Sequence, residues 1–250
     1  MQVKFQVGFI ALILAFFSSV SVGEEKLRLY TENYPPYNMS NSGKPFAHKA
    51  DDISGLCTEL VKAMLKHSDV DFSLKLRPWA TGLSRAQKRP NHGIFCTAQT
   101  DERKPYFHWV GPLTEIEWTL FAKPGSSIKL KSLEEAKEYR IGGYKGDVLS
   151  DYLIEQGFNV VTIDNDALNP RKLMLDQIDL WITDGLSGPY LASESEDIED
   201  LAKVLVFKST PLYLAVNIET ETKIVNELNN AYEFIKNNGE ADAISSQYVQ

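Results

Sequence analysis

The chain has 250 residues, 43% of them hydrophobic, and a formal net charge of −8. This excess of acidic side chains argues against a nucleic-acid-binding protein. The hydrophobic fraction is that of an ordinary soluble protein, and the length allows one large core or two smaller ones.

The N-terminus has the pattern of a secretory signal peptide. Lys4 provides a positive charge, residues 7–17 are apolar, and Ser21-Val22-Gly23 offers small residues for cleavage before Glu24. The apolar run is shorter than the roughly 20 residues that a membrane span needs. We therefore expect residues 1–23 to be removed and the mature protein to be exported.

The first part of the mature chain alternates predicted strands with predicted helices. Polar and apolar residues alternate in strands at 26–31 and 72–76, and a short apolar run predicts a third strand at 93–96. A helix that begins at Ser54 and another over 79–87 separate these strands. This order predicts a parallel sheet with helical crossovers.

A second unit repeats the pattern. Strands are predicted at 118–122, 140–143, 160–163 and 179–183, and helices at 133–136, 147–156 and 170–176. A strand at 212–216, a helix at 223–236 and a final helix ending at Tyr248 follow. We expect two lobes, 24–114 with 212–250 and 115–211, joined by short crossing strands near 113–116 and 209–212.

The segment that follows the third strand is the strongest candidate for an anion site. Thr100 is a suitable N-cap for a new helix, which would place Arg103 in its first turn. A strand end, backbone amides and a guanidinium together suit a carboxylate. The alternative is that Arg103 is a solvated surface charge.

Cys57 and Cys96 are the two cysteines of the chain. In an oxidising compartment a pair of cysteines suggests a disulfide. Two buried free thiols are the alternative, because sequence does not give the distance between them.

Five short segments make the chain resemble the bacterial solute-binding proteins of family 3, which serve ABC importers for amino acids. Thr31-Glu32-Asn33-Tyr34-Pro35-Pro36-Tyr37 is similar to the first strand and loop of that family. Thr100-Asp101-Glu102-Arg103 is similar to its Thr-Pro-Glu-Arg segment. The other matches, in order with these, are Gly55 to Leu60, Trp79 with Gly82-Leu83, and Ile178 to Asp184.

The resemblance implies an α/β, two-lobed, periplasmic-binding-protein-like fold of type II that closes around a small solute. It implies that Arg103 grips the ligand α-carboxylate and that Asp184 takes the α-ammonium. The further residues that it places at the ligand are Tyr34, Tyr37 and Trp79 as aromatic walls, and Glu32 for a positively charged ligand end. The alternatives are a helix cap for Asp184, core or loop packing for the aromatics, and a solvated surface position for Glu32.

Three residues depart from the family pattern. Cys96 and Ala98 stand where the family often has hydroxyl side chains near the carboxylate, and Asp147 stands where it usually has threonine or serine. We expect Ala98 and Asp147 to line the ligand site. An added negative charge at Asp147 would favour a cationic or amine-rich solute over an acidic one.

The function expected from the resemblance is periplasmic binding of an amino acid or related amine-bearing solute, for delivery to an ABC permease. The alternatives are a ligand-sensing module for a membrane receptor and an exported lyase or dehydratase of the same fold. The four histidines show no metal-ligand spacing, and no nucleophile or nucleotide motif is present. We therefore expect a monomeric binding protein with no catalytic residues, no metal and no cofactor.

Overall fold

The structure is a computed structural model that describes residues 26–248. Within these residues ten strands follow in chain order: β1 Leu27–Thr31, β2 Met39–Ser40, β3 Ile53–Ser54, β4 Phe72–Leu76, β5 His92–Ala98, β6 Phe107–Ala122, β7 Ile141–Tyr144, β8 Val160–Ile163, β9 Leu180–Asp184 and β10 Ala202–Asn217. The α-helices of the same residues are α1 Leu56–Lys66, α2 Trp79–Lys88, α3 Val148–Glu155, α4 Asn169–Met174, α5 Ser187–Glu196, α6 Thr222–Asn237 and α7 Glu240–Ser245. The predicted signal peptide, 1–23, lies outside this range.

Eight of the strands form one mixed sheet in the order β4-β1-β5-β10-β6-β9-β7-β8. β1 is parallel to β4 and β5, and β7 is parallel to β8 and β9. Between these two parallel groups, β10 runs antiparallel to β5 and β6, and β6 runs antiparallel to β9. The mixed α/β architecture expected from the sequence is confirmed, and β10 pairs with β5 of the first parallel group as well as with β6.

Helices cover the sheet because their apolar residues are spaced to face it. In α1, Leu56, Leu60 and Met64 recur at helical spacing and are fully or almost fully buried. The helix packs against α6 and α7, so the tail of the chain shares the core of the first parallel group. Trp118 and Trp181 are fully buried in the other half of the sheet. No helix within residues 26–248 is both long enough and apolar enough to cross a bilayer.

The crossings between the two groups are longer than the sequence predicted. Instead of short strands near 113–116 and 209–212, the chain crosses in β6 and β10, each of 16 residues. The two strands pair along almost their whole length, with register shifts that include one between Leu212 and Leu214. The sequence did not predict two continuous strands here, because exposed polar residues, Pro112 and Pro211 give local patterns that are typical of turns.

One helix prediction also needs correction, and one helix was not predicted. The chain after Thr100 forms only a turn and a three-residue 3-10 helix, Lys104–Tyr106, with Arg103 as its N-cap. Pro105 has no amide hydrogen to continue a helix, and β6 begins directly afterwards. Helix α5 was missed in the sequence because its Ser-, Gly- and Glu-rich segment lacks a clear apolar stripe.

Candidate functional site

A small cavity lies where the carboxyl ends of β1, β5 and β7 approach one another. We call it the Arg103 cavity; its volume is about 40 Å³. Its lining comes from both parallel groups and both crossings: Glu32, Tyr34, Trp79, Cys96, Thr97, Ala98, Arg103, Ile116, Tyr144, Gly146, Asp147, Val148 and Leu212.

Arg103 is held in place by its neighbours at the end of β5. Its Nη1 donates hydrogen bonds to the Thr97 hydroxyl at 3.1 Å and to the Ala98 carbonyl at 3.4 Å. The guanidinium carbon lies 4.9 Å from the centre of the Trp79 ring, which is cation–π distance. These contacts occupy one nitrogen and one face of the guanidinium, so the rest of its fork can bind an anion.

The floor of this cavity is tied to helix α1. Cys57, in the first turn of α1, and Cys96, in β5, form a disulfide. Cys96 has a φ of 61°, a conformation that is uncommon for a residue with a side chain. The cross-link thereby fixes the strand end from which Thr97, Ala98 and Arg103 follow.

Two carboxyl groups face the cavity with Arg103. The Tyr144 hydroxyl donates to Glu32 Oε2 at 2.8 Å, which joins residues from the two parallel groups across the cleft. Burial raises the pKa of Glu32 to about 8, and the hydrogen bond from Tyr144 opposes that shift. Burial, with the nearby Asp166 charge, raises the pKa of Asp147 to about 7. At neutral pH a positively charged group would therefore favour the ionised form of either carboxyl.

A second, larger cavity begins on the other side of the Glu32–Tyr144 pair. We call it the Asp166 cavity; its volume is about 540 Å³, and it shares Glu32, Tyr34 and Tyr144 with the first. Asp166 Oδ1 accepts hydrogen bonds from Asn169 Nδ2 and Trp181 Nε1, and its Oδ2 accepts one from the Thr183 hydroxyl. Burial raises the pKa of Asp166 to about 6, and these three bonds oppose the shift.

Tyr37 and Asp184 lie together at a different place. Asp184 Oδ1 accepts from the Tyr37 hydroxyl at 2.7 Å and from the Leu186 and Ser187 amides, and its Oδ2 accepts from the Glu117 amide. Burial raises the pKa of Asp184, and the hydrogen bond from Tyr37 opposes that shift. Both residues line a third cavity, of about 510 Å³, rather than the Arg103 cavity.

The structure therefore brings six of the eight predicted ligand residues to one cavity. These are Glu32, Tyr34, Trp79, Ala98, Arg103 and Asp147, whereas Tyr37 and Asp184 stand apart. Sequence reasoning missed Tyr144, Thr97 and Asp166. Tyr144 follows the strand predicted at 140–143, and an aromatic residue at a strand end was a usable signal, because ligands bind at the carboxyl ends of parallel strands. No group of three or more potential metal ligands occurs within residues 26–248.

Comparisons with known proteins agree with this architecture. The chain matches the family model of bacterial extracellular solute-binding proteins, family 3, over residues 28–250. It is 28% identical over 158 residues to the L-cystine-binding protein TcyJ of Escherichia coli K12, a match that covers 61% of this chain. The match spans 59% of the length of that relative.

Solved structures of similar fold cover almost the whole chain. A histidine kinase sensor domain with similarity to periplasmic binding proteins has a TM-score of 0.78 at 17% identity, covering 90% of this chain and 96% of that one. The arginine-, lysine-, histidine-binding protein ArtJ from Geobacillus stearothermophilus has a TM-score of 0.74 at 20% identity, covering 90% and 95%. The fold is thus the two-lobed, periplasmic-binding-protein-like fold. On the match to the family model, the chain belongs to the bacterial extracellular solute-binding proteins of family 3.

Proposed function

We propose that the protein binds a free amino acid, or a closely related compound with an amine and a carboxylate, in the Arg103 cavity. The observation that carries this proposal is the pairing of opposite charges there. Arg103 lies on one side, and Asp147 and Glu32 lie with it around the same small space. A solute that carries both charges can satisfy both sides at once, whereas a simple anion would face repulsion from Asp147.

The proposed binding step is closure of two lobes, 24–114 with 212–250 and 115–211. Arg103 and Trp79 belong to the first lobe, while Tyr144 and Asp147 belong to the second. The paired strands β6 and β10 form the connection between them. Because the solute contacts residues of both lobes, it would stabilise the closed form by its extra contacts there.

The relatives favour an amino acid as the ligand class. TcyJ is named for binding L-cystine, and ArtJ for binding arginine, lysine and histidine. These ligands share an α-carboxylate and an α-ammonium, the two groups that suit Arg103 and an acidic partner. The cavity of about 540 Å³ next to Glu32 gives space for a ligand side chain.

Delivery to an ABC permease is the biological role that we propose for the bound form. We further propose a monomeric periplasmic protein without catalytic activity. Family membership supports a binding role, and the charged groups of the cavity are explained by recognition of a zwitterion. A pull-down from membranes with and without ligand would separate a permease partner from a receptor partner.

A thermal-shift screen tests the proposed ligand class. The mature chain would be heated with L-cystine, L-arginine, L-lysine, L-histidine, L-glutamine, L-glutamate, polyamines and small organic acids. A ligand at 100 times its Kd stabilises a protein by about 2.7 kcal/mol, which is easily measured. We expect an amino acid to give the largest shift. A shift with organic acids or polyamines and with no amino acid would contradict the proposal.

A further inference from the structure

An α-amino acid bound at Arg103 also needs an acceptor for its ammonium group. An ammonium prefers an ionised carboxylate with unoccupied acceptor positions close to the carboxylate-binding site. The carboxyl groups near the cleft that could serve are Glu32, Asp147, Asp166 and Asp184. Their hydrogen bonds and positions distinguish them.

Asp184 is poorly placed for this role, although the resemblance implied it. Both of its oxygens already accept hydrogen bonds, from the Tyr37 hydroxyl and three backbone amides. Its side chain lines the third cavity and not the Arg103 cavity. Oδ1 accepts three of these hydrogen bonds, so a ligand that took their place would leave the Tyr37 hydroxyl or an amide unpaired, which is costly in a buried place.

Asp166 and Glu32 are also weaker candidates. Both oxygens of Asp166 accept from side chains, and this residue lines only the larger cavity. Glu32 lines the Arg103 cavity, but its Oε2 is bonded to Tyr144.

Asp147 lines the Arg103 cavity and has the most acceptor capacity left. No side chain within residues 26–248 donates a hydrogen bond to its carboxylate, and the Arg103 charge and the Leu149 amide both favour its ionised form. The preceding Gly146, with a φ of 75°, turns the chain toward Trp79, so that a Cβ at Gly146 would come within 3.9 Å of that ring. Asp147 thus enters the cavity beside the Trp79–Arg103 stack.

The relation between Arg103 and Asp147 fits a zwitterion. The Asp147 charge favours the ionised form of Arg103, yet no ion pair within 4 Å joins the two among the described side chains. A bound amino acid could contact both residues at once. Its carboxylate would bind the Arg103 guanidinium, and its ammonium would bind the Asp147 carboxylate. Each charge would then meet an opposite charge in a cleft that excludes water.

We propose that Asp147, rather than Asp184, is the residue that binds the ligand ammonium. This assignment rests on the proposed function, since it presumes that an amino acid occupies the Arg103 cavity. It makes Asp147 a specificity-determining residue that excludes anions lacking an amine. Asp184 instead holds the Tyr37 hydroxyl and the start of α5 in place.

A thermodynamic cycle between protein and ligand tests the assignment. Calorimetry would compare the tightest amino acid of the screen with its Nα-acetyl derivative, which keeps the carboxylate but has no ammonium. Both compounds would be titrated into the wild-type protein and into Asp147→Asn, Asp184→Asn and Asp151→Asn. Asp151 is the matched control because it is an exposed aspartate on α3 that lies near Arg103 but outside its cavity.

We expect acetylation to weaken binding to the wild type and to Asp151→Asn by tens-fold to thousands-fold, as for loss of a buried charge partner. In Asp147→Asn the two compounds should differ by less than about tenfold, because the ammonium has already lost its partner. In Asp184→Asn, acetylation should weaken binding by the same factor as in the wild type, even if the Tm of this variant is lower.

The assignment is wrong if acetylation of the ligand lowers its affinity for Asp147→Asn by as large a factor as for the wild type. It is also wrong if acetylation no longer lowers the affinity for Asp184→Asn. If Asp184→Asn does not fold, the first comparison alone decides. If no amino acid binds the wild-type protein, the proposed function fails and this assignment fails with it, an outcome that the screen reveals before any variant is made.

Discussion

The Tyr37 hydroxyl donates a 2.7 Å hydrogen bond to Asp184, a residue 147 positions later in the chain. The carboxylate that receives it also accepts hydrogen bonds from the amides of Glu117, Leu186 and Ser187. Asp184 therefore connects the loop after β1, the crossing strand β6 and the start of α5. This buried contact lies next to Tyr34, whose ring stacks on that of Tyr37 with the ring centres 5.9 Å apart.

Removing the Tyr37 hydroxyl should lower the stability of the protein. Tyr37→Phe deletes the donor and keeps the ring, and a hydrogen bond to a charged group contributes roughly 1.5–3 kcal/mol. For a chain of this size, Tm should fall by about 2–4 °C for each kcal/mol. Thermal unfolding followed by circular dichroism measures the change.

Tyr190→Phe is the matched control for this substitution. Within residues 26–248 the Tyr190 hydroxyl donates a single hydrogen bond, to the Met39 sulfur at 3.6 Å, which is a weak acceptor. Its Tm should stay close to that of the wild type. Equal Tm losses for the two variants would contradict the role given to the Tyr37–Asp184 bond.

Arg103→Ala should abolish most of the affinity for an amino acid ligand. Loss of a desolvated charge partner typically costs about 2–5 kcal/mol, which is tens-fold to thousands-fold in Kd. The affinity of Arg103→Lys should lie between those of the wild type and Arg103→Ala, because lysine keeps the charge but not the planar fork of the guanidinium. Calorimetry with the amino acid found in the screen measures both.

Arg85→Ala is the control for the loss of positive charge. Arg85 is exposed on α2 and lies over the Tyr30 ring rather than in the cavity. We expect the Kd of the Arg85→Ala variant to remain within about threefold of the wild-type value, since salt and water screen an exposed charge. An Arg103→Ala variant that binds as tightly as Arg85→Ala would remove Arg103 from the site.

The ligand-free protein should become less stable as the pH rises from about 5 to 8. Folding raises the pKa of Glu32 to about 8, of Asp147 to about 7 and of Asp166 to about 6. The unfolded chain therefore binds fewer protons than the folded one in this range. The stability that these protonated groups contribute is fully present at a pH below their pKa values in the unfolded chain. It is lost as the pH rises through their pKa values in the folded protein.

Glu32→Gln isolates one part of this dependence. The groups that face Glu32 are Tyr144, Asp147, Asp166 and Arg103. The variant keeps a neutral acceptor for Tyr144, so its Tm should fall less than that of the wild type between pH 6.5 and 8.5. Glu134→Gln, which changes an exposed carboxylate, should follow the wild-type curve. Parallel curves for Glu32→Gln and the wild type would contradict the raised pKa.

Reduction of the Cys57–Cys96 disulfide should destabilise the fold. The bond spans 39 residues, and closing a loop of that length stabilises by roughly 4 kcal/mol. The wild-type Tm should fall in the presence of dithiothreitol, whereas Cys57→Ala/Cys96→Ala should have a low Tm that dithiothreitol does not change. A wild-type Tm that is insensitive to reductant during full unfolding would show that the bond contributes little.

Much of the fold could be predicted from local patterns. Alternation placed β1 and β4, and helical spacing of Leu56, Leu60 and Met64 placed α1, because each pattern repeats within a single element. The segment before Arg103 pointed to a candidate anion site, since a strand end places backbone amides and a guanidinium within a few residues of one another. The family resemblance rests on the same short segments, and the family model confirms it.

Tertiary structure alone decided which acidic side chains share the cleft with Arg103. Asp184 and Asp147 both follow strands in the sequence, but Asp184 is held by Tyr37 and three amides, while Asp147 lies in the Arg103 cavity. Likewise, the partnership of Glu32 with Tyr144 joins residues 112 positions apart. Local sequence determines where a strand or helix begins. The position and protonation of a side chain depend on distant groups that remove water from it or donate hydrogen bonds to it, and only the folded chain brings those groups together.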